Sequence, residues 1–311
     1  MKRHFILLGL LLLVAARMQG QQDPMYTHYM YNTQVVNPAY AGSREALTFT
    51  GLVRAQWVDF PGRPASQTLS LNTPVVSEHF GVGLSYTSEQ FGKGTSVSNG
   101  QVDFAFRFYT SKRSQLAMGL KGSMVQFSEN MVNLFLKDPV DPYFPSGTRG
   151  RIAPNVGTGL YFKHDRYYIG LSIPKLLENR FQLDSGRNGT FLGFRQRHYY
   201  GIFGMRLDLE NRIQFIPTAL VKYTLDVPLQ VDLTASLLIR DQLMTGLMYR
   251  HRDAVGMMFG FHFTEQLLAG YSFDWSLGIG TGRYNSGSHE FMLRYDFLFR
   301  NSQKTRSSRY F

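Results

Sequence analysis

Along most of the chain, large apolar residues occupy every second position. In 288–302 (SHEFMLRYDFLFRNS), Phe291, Leu293, Tyr295, Phe297 and Phe299 alternate with Glu290, Arg294 and Asp296. In Leu267–Ser276, Leu267, Ala269, Tyr271, Phe273 and Trp275 alternate with Gly270, Ser272, Asp274 and Ser276. Val255–Phe263, Val231–Arg240 and the run around Phe104, Phe106 and Phe108 repeat the pattern, the last against Asp103 and Arg107. A strict period of two predicts strands with one apolar face. Fourteen such segments begin near Ala46, Gln67, Phe80, Gln101, Gln115, Asn155, Tyr167, Tyr199, Ile213, Leu229, Leu243, Val255, Leu267 and His289. Most run about nine to eleven residues, the length of a tilted membrane-crossing strand.

A two-sheet sandwich would also alternate. It would rarely place Arg or Asp at successive positions of its other face, strand after strand. The connections separate the two cases. One set reads VVSEH, SKR, HDR, LENR, RDQ and TEQ, all tight and polar. The other set includes 58–66, 88–99, stretches near 128–153 and 175–198, and 277–287, with two short members near 224–228 and 251–254. Short turns at one end and long loops at the other predict an all-β outer-membrane barrel of about 14 antiparallel strands. Closure satisfies every backbone group in lipid. The predicted barrel spans 46–299. Phe291 to Phe299 should face lipid. Arg107, Asp232, Asp274, Glu290, Arg294 and Asp296 should face the lumen and pair there, together with Arg54, Asp103, Lys121, Arg206, Asp208, Lys222, Arg240 and Arg250. Trp57, Trp275 and Tyr295 are expected in the interfacial girdles.

Two segments break the alternation. Residues 1–20 read as a signal peptide, with Lys2, Arg3 and His4 ahead of an apolar run from Phe5 to Ala16. Cleavage is expected after Gly20, with Ala16 as the alternative. Residues 21–45 precede the first strand as an N-terminal periplasmic or plug segment. Within it, Asp23 and Pro24 suit a helix start, Met25/Tyr29 and Tyr26/Met30 lie four apart, and a short helix should end near Asn37–Pro38. This segment reads either as a plug that packs the lumen or as a contact surface for a periplasmic partner. The basic stretch 300–311 is expected as a solvated periplasmic tail.

Composition narrows the chemistry. The 311 residues carry a formal charge of +11, 25 Phe, 18 Tyr, 30 Gly and no Cys, which excludes disulfides, thiolate metal sites and a Cys nucleophile. No phosphate-binding loop, HExxH or nucleophile elbow is present. GIGTG at 278–282 precedes no helix and reads as a loop. His262 and Asp274 are expected on neighbouring strands, as a hydrogen-bonded lumen pair rather than a catalytic one. The two Asp of DPVDPYF (138–144) supply too few oxygens for Ca²⁺, and Asn188-Gly189-Thr190 matches a glycosylation sequon of little meaning here. No catalytic residue, cofactor or metal is expected, and no nucleic-acid partner.

Five stretches resemble the PorP/SprF outer-membrane proteins of the type IX secretion system: YMYNTQVVNPAYAGSR (29–44), RAQWVDFPGRPASQTLSLNTPV (54–75), PNVGTGLYFKHDRYYIGLSIPKLL (154–177), GYSFDWS (270–276) and GSHEFML (287–293). They occur in family order and cover nearly the whole mature chain. The tail past Phe299 departs from the family pattern. Family-motif positions fall on Tyr31, Asn32, Asn37, Pro38, Tyr40, Gly42, Arg54, Gln56 and Trp57, as candidates for partner binding or, more plainly, as a turn, a plug anchor and a register lock for the first strand. The resemblance implies a Bacteroidetes-type outer membrane and a non-enzymatic barrel that supports export or surface attachment, including of gliding adhesins. Its implied partners are the periplasmic ring lipoprotein and that protein's own partner, and the C-terminal sorting domains of secreted proteins. The loops at 128–153 and 175–198 would hold cargo. A transport barrel for a small or apolar solute is the alternative, and an outer-membrane hydrolase would need a triad the sequence does not assemble.

Overall fold

The computed structural model describes residues 24–44, 46–75, 79–92, 94–130, 148–178, 180–182, 191–194, 197–225, 227–278 and 285–297. The expected signal peptide, the tail 300–311, the motifs at 138–144 and 188–190, the centres of two long loops and most of GIGTG lie outside these residues.

Alternating sequence becomes alternating burial. In Ser288–Phe297, Phe291 is 60% exposed while Glu290 and Met292 are 0% and 3% exposed. Fourteen strands carry this pattern. They are β1 (Leu47–Ala55), β2 (Ala65–Val75), β3 (Phe80–Phe91), β4 (Thr95–Ser111), β5 (Ser114–Asn130), β6 (Thr148–His164) and β7 (Tyr167–Ile173). They continue with β8 (His198–Met205), β9 (Ile213–Thr224), β10 (Gln230–Ile239), β11 (Leu243–Arg250), β12 (Ala254–His262), β13 (Leu267–Ser276) and β14 (Ser288–Phe297). Each pairs antiparallel with its neighbours, and β1 pairs with β14 from Leu47↔Phe297 to Ala55↔His289. The sheet is a closed barrel, so no edge meets lipid. Its outer band is apolar: Leu69, Leu84, Phe104, Leu120, Leu171, Leu233, Leu247 and Phe259 all point out and are exposed. Its inner wall is mixed: buried Thr, Ser, Asn, Gln and charged residues stand beside buried Leu52, Tyr161, Tyr168, Met244, Leu268 and Met292.

Three expectations need correction. First, β4, β5 and β6 run 17 residues each, and most of 88–99, expected as a loop, is strand. Seventeen residues extend roughly 56 Å, about twice the apolar band of such barrels. Beyond the bilayer no lipid enforces an apolar face, so Thr95, Ser96, Ser98 and Asn99 pair as strand without the alternation that marks the rest. Second, Arg240 and Asp208 are exposed at the short-turn end, and Arg206 is only half-buried, 3.5 Å from Asp208. Arg240 sits at φ 52 inside a tight turn, which takes it out of the strand and off the lumen face. Third, the expected helix before β1 is broken into a 3-10 turn at Tyr29–Tyr31, one α-turn at Thr33–Val36 and a 3-10 turn at Pro38–Tyr40. The Met25/Tyr29 spacing builds no helix because the Thr27 and His28 amides donate to the Glu290 carboxylate, each at 2.8 Å.

A plugged lumen as the candidate functional site

Residues 24–44 lie inside the barrel. Thr27, His28, Asn37 and Ala39 are fully buried. The segment enters near the long-loop ends of β1, β13 and β14 and leaves near their short-turn ends.

Two charged clamps hold it. At the long-loop end Glu290 of β14 accepts the Thr27 and His28 amides and His28 Nδ1, each at 2.8 Å. Arg54 of β1 donates to Glu290 at 3.2 Å and to Asp274 of β13 at 2.6 Å. Thr27 Oγ1 donates to Asp274 at 2.8 Å. Arg250 of β11 extends the chain of charges, 3.8 Å from Asp274 and 3.1 Å from Asp232 of β10. All five charged side chains are at most 2% exposed. Such burial is tolerable because each charge meets an opposite one. At the short-turn end Arg44 meets Asp296 at 2.9 Å, Thr48 donates to Asp296 at 2.8 Å, and Arg294 stands 3.8 Å from Asp296 and 4.9 Å over the Tyr31 ring.

Between the clamps, polar side chains satisfy the plug's irregular backbone. Lys121 donates to Val35 O at 2.7 Å and Gln34 O at 3.2 Å, and meets Asp103 at 3.3 Å. Ser172 donates to Val36 O at 2.7 Å, and Lys163 to Ser43 O at 3.0 Å. Asn37 caps the last 3-10 turn by accepting Ala39 N at 3.0 Å and donates across to Leu160 O at 2.9 Å. The plug also presses on strand backbone where the wall has no side chain. A Cβ on Gly119 would lie 2.2 Å from Ala39 N, and one on Gly159 would lie 2.2 Å from Asn37 Oδ1. Gly42 turns the chain toward β1 at φ +68, a conformation that favours glycine.

The family-motif candidates separate into two places. Tyr31, Asn32, Asn37, Pro38, Tyr40, Gly42 and Arg54 are buried in the lumen. Tyr31 donates to Met244 Sδ at 2.8 Å, and Tyr40 packs edge-on against Tyr161 at 5.5 Å. In this arrangement they hold the plug and offer no surface. Gln56 and Trp57 lie at the loop mouth, half-buried, with Trp57 N donating to Ser288 Oγ at 3.1 Å and its ring 6.2 Å from Phe60. Of the expected charge network, Asp232, Asp274 and Glu290 come together through Arg54 and Arg250, and Arg294 joins Asp296. Arg107 stands apart on β4, where it donates to Gly42 O and Phe80 O. The expected His262–Asp274 contact does not form. His262 pairs with Leu268, six residues from Asp274 along β13, a separation of about 20 Å. Sequence reasoning passed over His28, Thr27 and Arg44. It also passed over the plug cradle, whose only sequence signal is glycine at inward positions such as Gly81, Gly83, Gly119 and Gly159. Among the described residues no three His, Cys, Asp or Glu side chains gather as a metal site.

The model of the type IX secretion system membrane protein family PorP/SprF matches residues 18–295. The chain belongs to the PorP/SprF family. No curated protein sequence matches it. Among solved structures, the CymD monoaromatic hydrocarbon channel aligns with a TM-score of 0.53 at 9% identity, covering 91% of this chain and 96% of that one. The toluene transporter TbuX of Ralstonia pickettii gives 0.51 at 8% identity, with 91% and 96% covered. A FadL homologue of Pseudomonas aeruginosa gives 0.47 at 13% identity, with 90% and 96% covered. The first two likenesses are of fold alone: this member of the type IX membrane protein family PorP/SprF is built as an outer-membrane barrel.

Proposed function

We propose that the protein is a non-enzymatic component of type IX secretion that supports export or surface attachment of proteins bearing C-terminal sorting domains. In this reading the signal peptide is removed after Gly20, the short turns face the periplasm, and the long loops face outward. The short-turn end meets the periplasmic ring lipoprotein and its partner, and the loops near 128–153 and 175–198 meet cargo. The observation that carries the proposal is family membership across 18–295 together with a lumen filled by the chain's own residues 24–44. A barrel held shut by two buried charged clamps works through its ends rather than as an open conduit. Deleting the gene should trap cargo with C-terminal sorting domains in the periplasm, and barrel purified from membranes should carry the ring proteins. Unchanged export in a deletion strain lacking paralogues sinks the proposal.

A further inference from the structure

The plug fills the lumen unevenly. Its charged clamps tie it to β1, β13 and β14. Against the opposite wall, in the long-loop half, lies a cavity of about 850 Å³, open solvent included. The apolar part of its lining comes from both sides: Tyr29, Val35 and Val36 of the plug, and Val97, Tyr200 and Leu220 of β4, β8 and β9. The Tyr29 hydroxyl is engaged by Thr218 at 2.8 Å, so this residue offers the cavity its ring.

The polar part of the lining is specific in kind. Asn32 Oδ1, Asn99 Oδ1 and Asp232 Oδ1 have no hydrogen-bond partner among the described protein atoms. Their side chains belong to residues only 3%, 6% and 2% exposed. The other Asp232 oxygen is already held by Arg250 Nε at 3.1 Å. Buried acceptors of this kind call for donors. Charge on the lining balances, with Lys175 and Lys222 against Glu89 and Asp232. A carboxylate ligand would set further acceptors against Asn32 Oδ1, Asn99 Oδ1 and Asp232 Oδ1. An ammonium ligand would bring donors into the neighbourhood of two lysines. A hydroxyl brings donors without charge. We infer that this cavity binds a neutral, hydroxyl-bearing small molecule with an apolar body, seated between the plug and the β8–β9 wall.

The test uses full-length protein in lipid nanodiscs and calorimetric titration with three probes that share a phenyl body: phenyl glucoside, phenylacetate and phenethylamine. Phenyl glucoside should bind saturably, one per barrel, and not to empty discs. Both charged probes should bind at least tenfold more weakly. Val97→Trp fills the cavity and should weaken phenyl glucoside at least tenfold. Asn99→Leu removes one acceptor and should weaken it about fivefold. Each variant is first checked for a heat-modifiable barrel on gels, and if one fails to fold the other still decides. Absence of saturable phenyl glucoside binding, binding untouched by either folded variant, or tighter binding of a charged probe overturns the inference. None of these outcomes touches the secretion reading, which is judged by cargo export.

Discussion

Replacing Glu290 by Ala removes the acceptor on which the upper clamp converges. In the native barrel its two oxygens take the Thr27 and His28 amides, His28 Nδ1 and Arg54, and the side chain is fully buried. Truncation leaves two backbone donors without an acceptor and Arg54 with Asp274 as its remaining acid. Breaking one partner of a buried ion pair costs about 3–5 kcal/mol. Each 1.4 kcal/mol is about tenfold, so the ratio of released to docked plug should rise roughly a hundredfold to a few thousandfold. The barrel itself should survive, because its fourteen-strand ladder does not depend on this side chain. The assay is twofold. Trypsin should cleave after Arg44, buried in the docked plug, far faster in Glu290→Ala than in wild type. Planar-bilayer recordings should show openings that wild type lacks. Glu290→Gln keeps the volume and one acceptor and should cost less, about 1–3 kcal/mol. Exposed Glu210→Ala is the control and should change nothing. A folded Glu290→Ala barrel with native trypsin resistance and no added conductance would refute the claim that this cluster holds the plug.

Gly159→Ala places a Cβ 2.2 Å from Asn37 Oδ1 and should loosen the plug in the same trypsin assay, whereas Gly122→Ala, with nothing within 4 Å, should not. Leu293→Arg puts a charge on the outward face, where Leu293 is 45% exposed. It should cost about 2–4 kcal/mol near mid-bilayer and lower the folded fraction on urea titration in lipid vesicles. Lys121→Met strands the Gln34 and Val35 carbonyls and the Asp103 carboxylate, and should raise trypsin sensitivity without changing barrel migration on gels.

The barrel was legible because lipid imposes a rule at every second residue. The expected strand starts at Phe80, Tyr167, Ile213, Leu243 and Leu267 coincide with the observed ones. Legibility faded where the rule lapsed. Above the bilayer, β4 and β6 begin six and seven residues earlier than Gln101 and Asn155, because water on both faces demands no alternation. The plug was visible as a gap in the pattern, but its path was not. Its turns are stabilised by side chains distant in sequence, such as Glu290 for Thr27 and Lys121 for Val35. No local propensity encodes those contacts. The acids of the clamp were recognisable as inward-facing, yet their partners His28 and Arg44 sit in a segment without periodicity to orient them.

Both clamps straddle the junction where the first strand meets the last. Arg54 and Thr48 stand on one side of that junction, Glu290 and Asp296 on the other, joined in register by Arg54↔Glu290 and Thr48↔Asp296. The plug therefore behaves like a mandrel around which the cylinder is zipped. Until β14 arrives, the Thr27 and His28 amides and Arg44 lack the acids that seat them. Sealing the seam and lodging the core thus become a single assembly step, and a chain shortened ahead of Glu290 should remain both unsealed and unfilled.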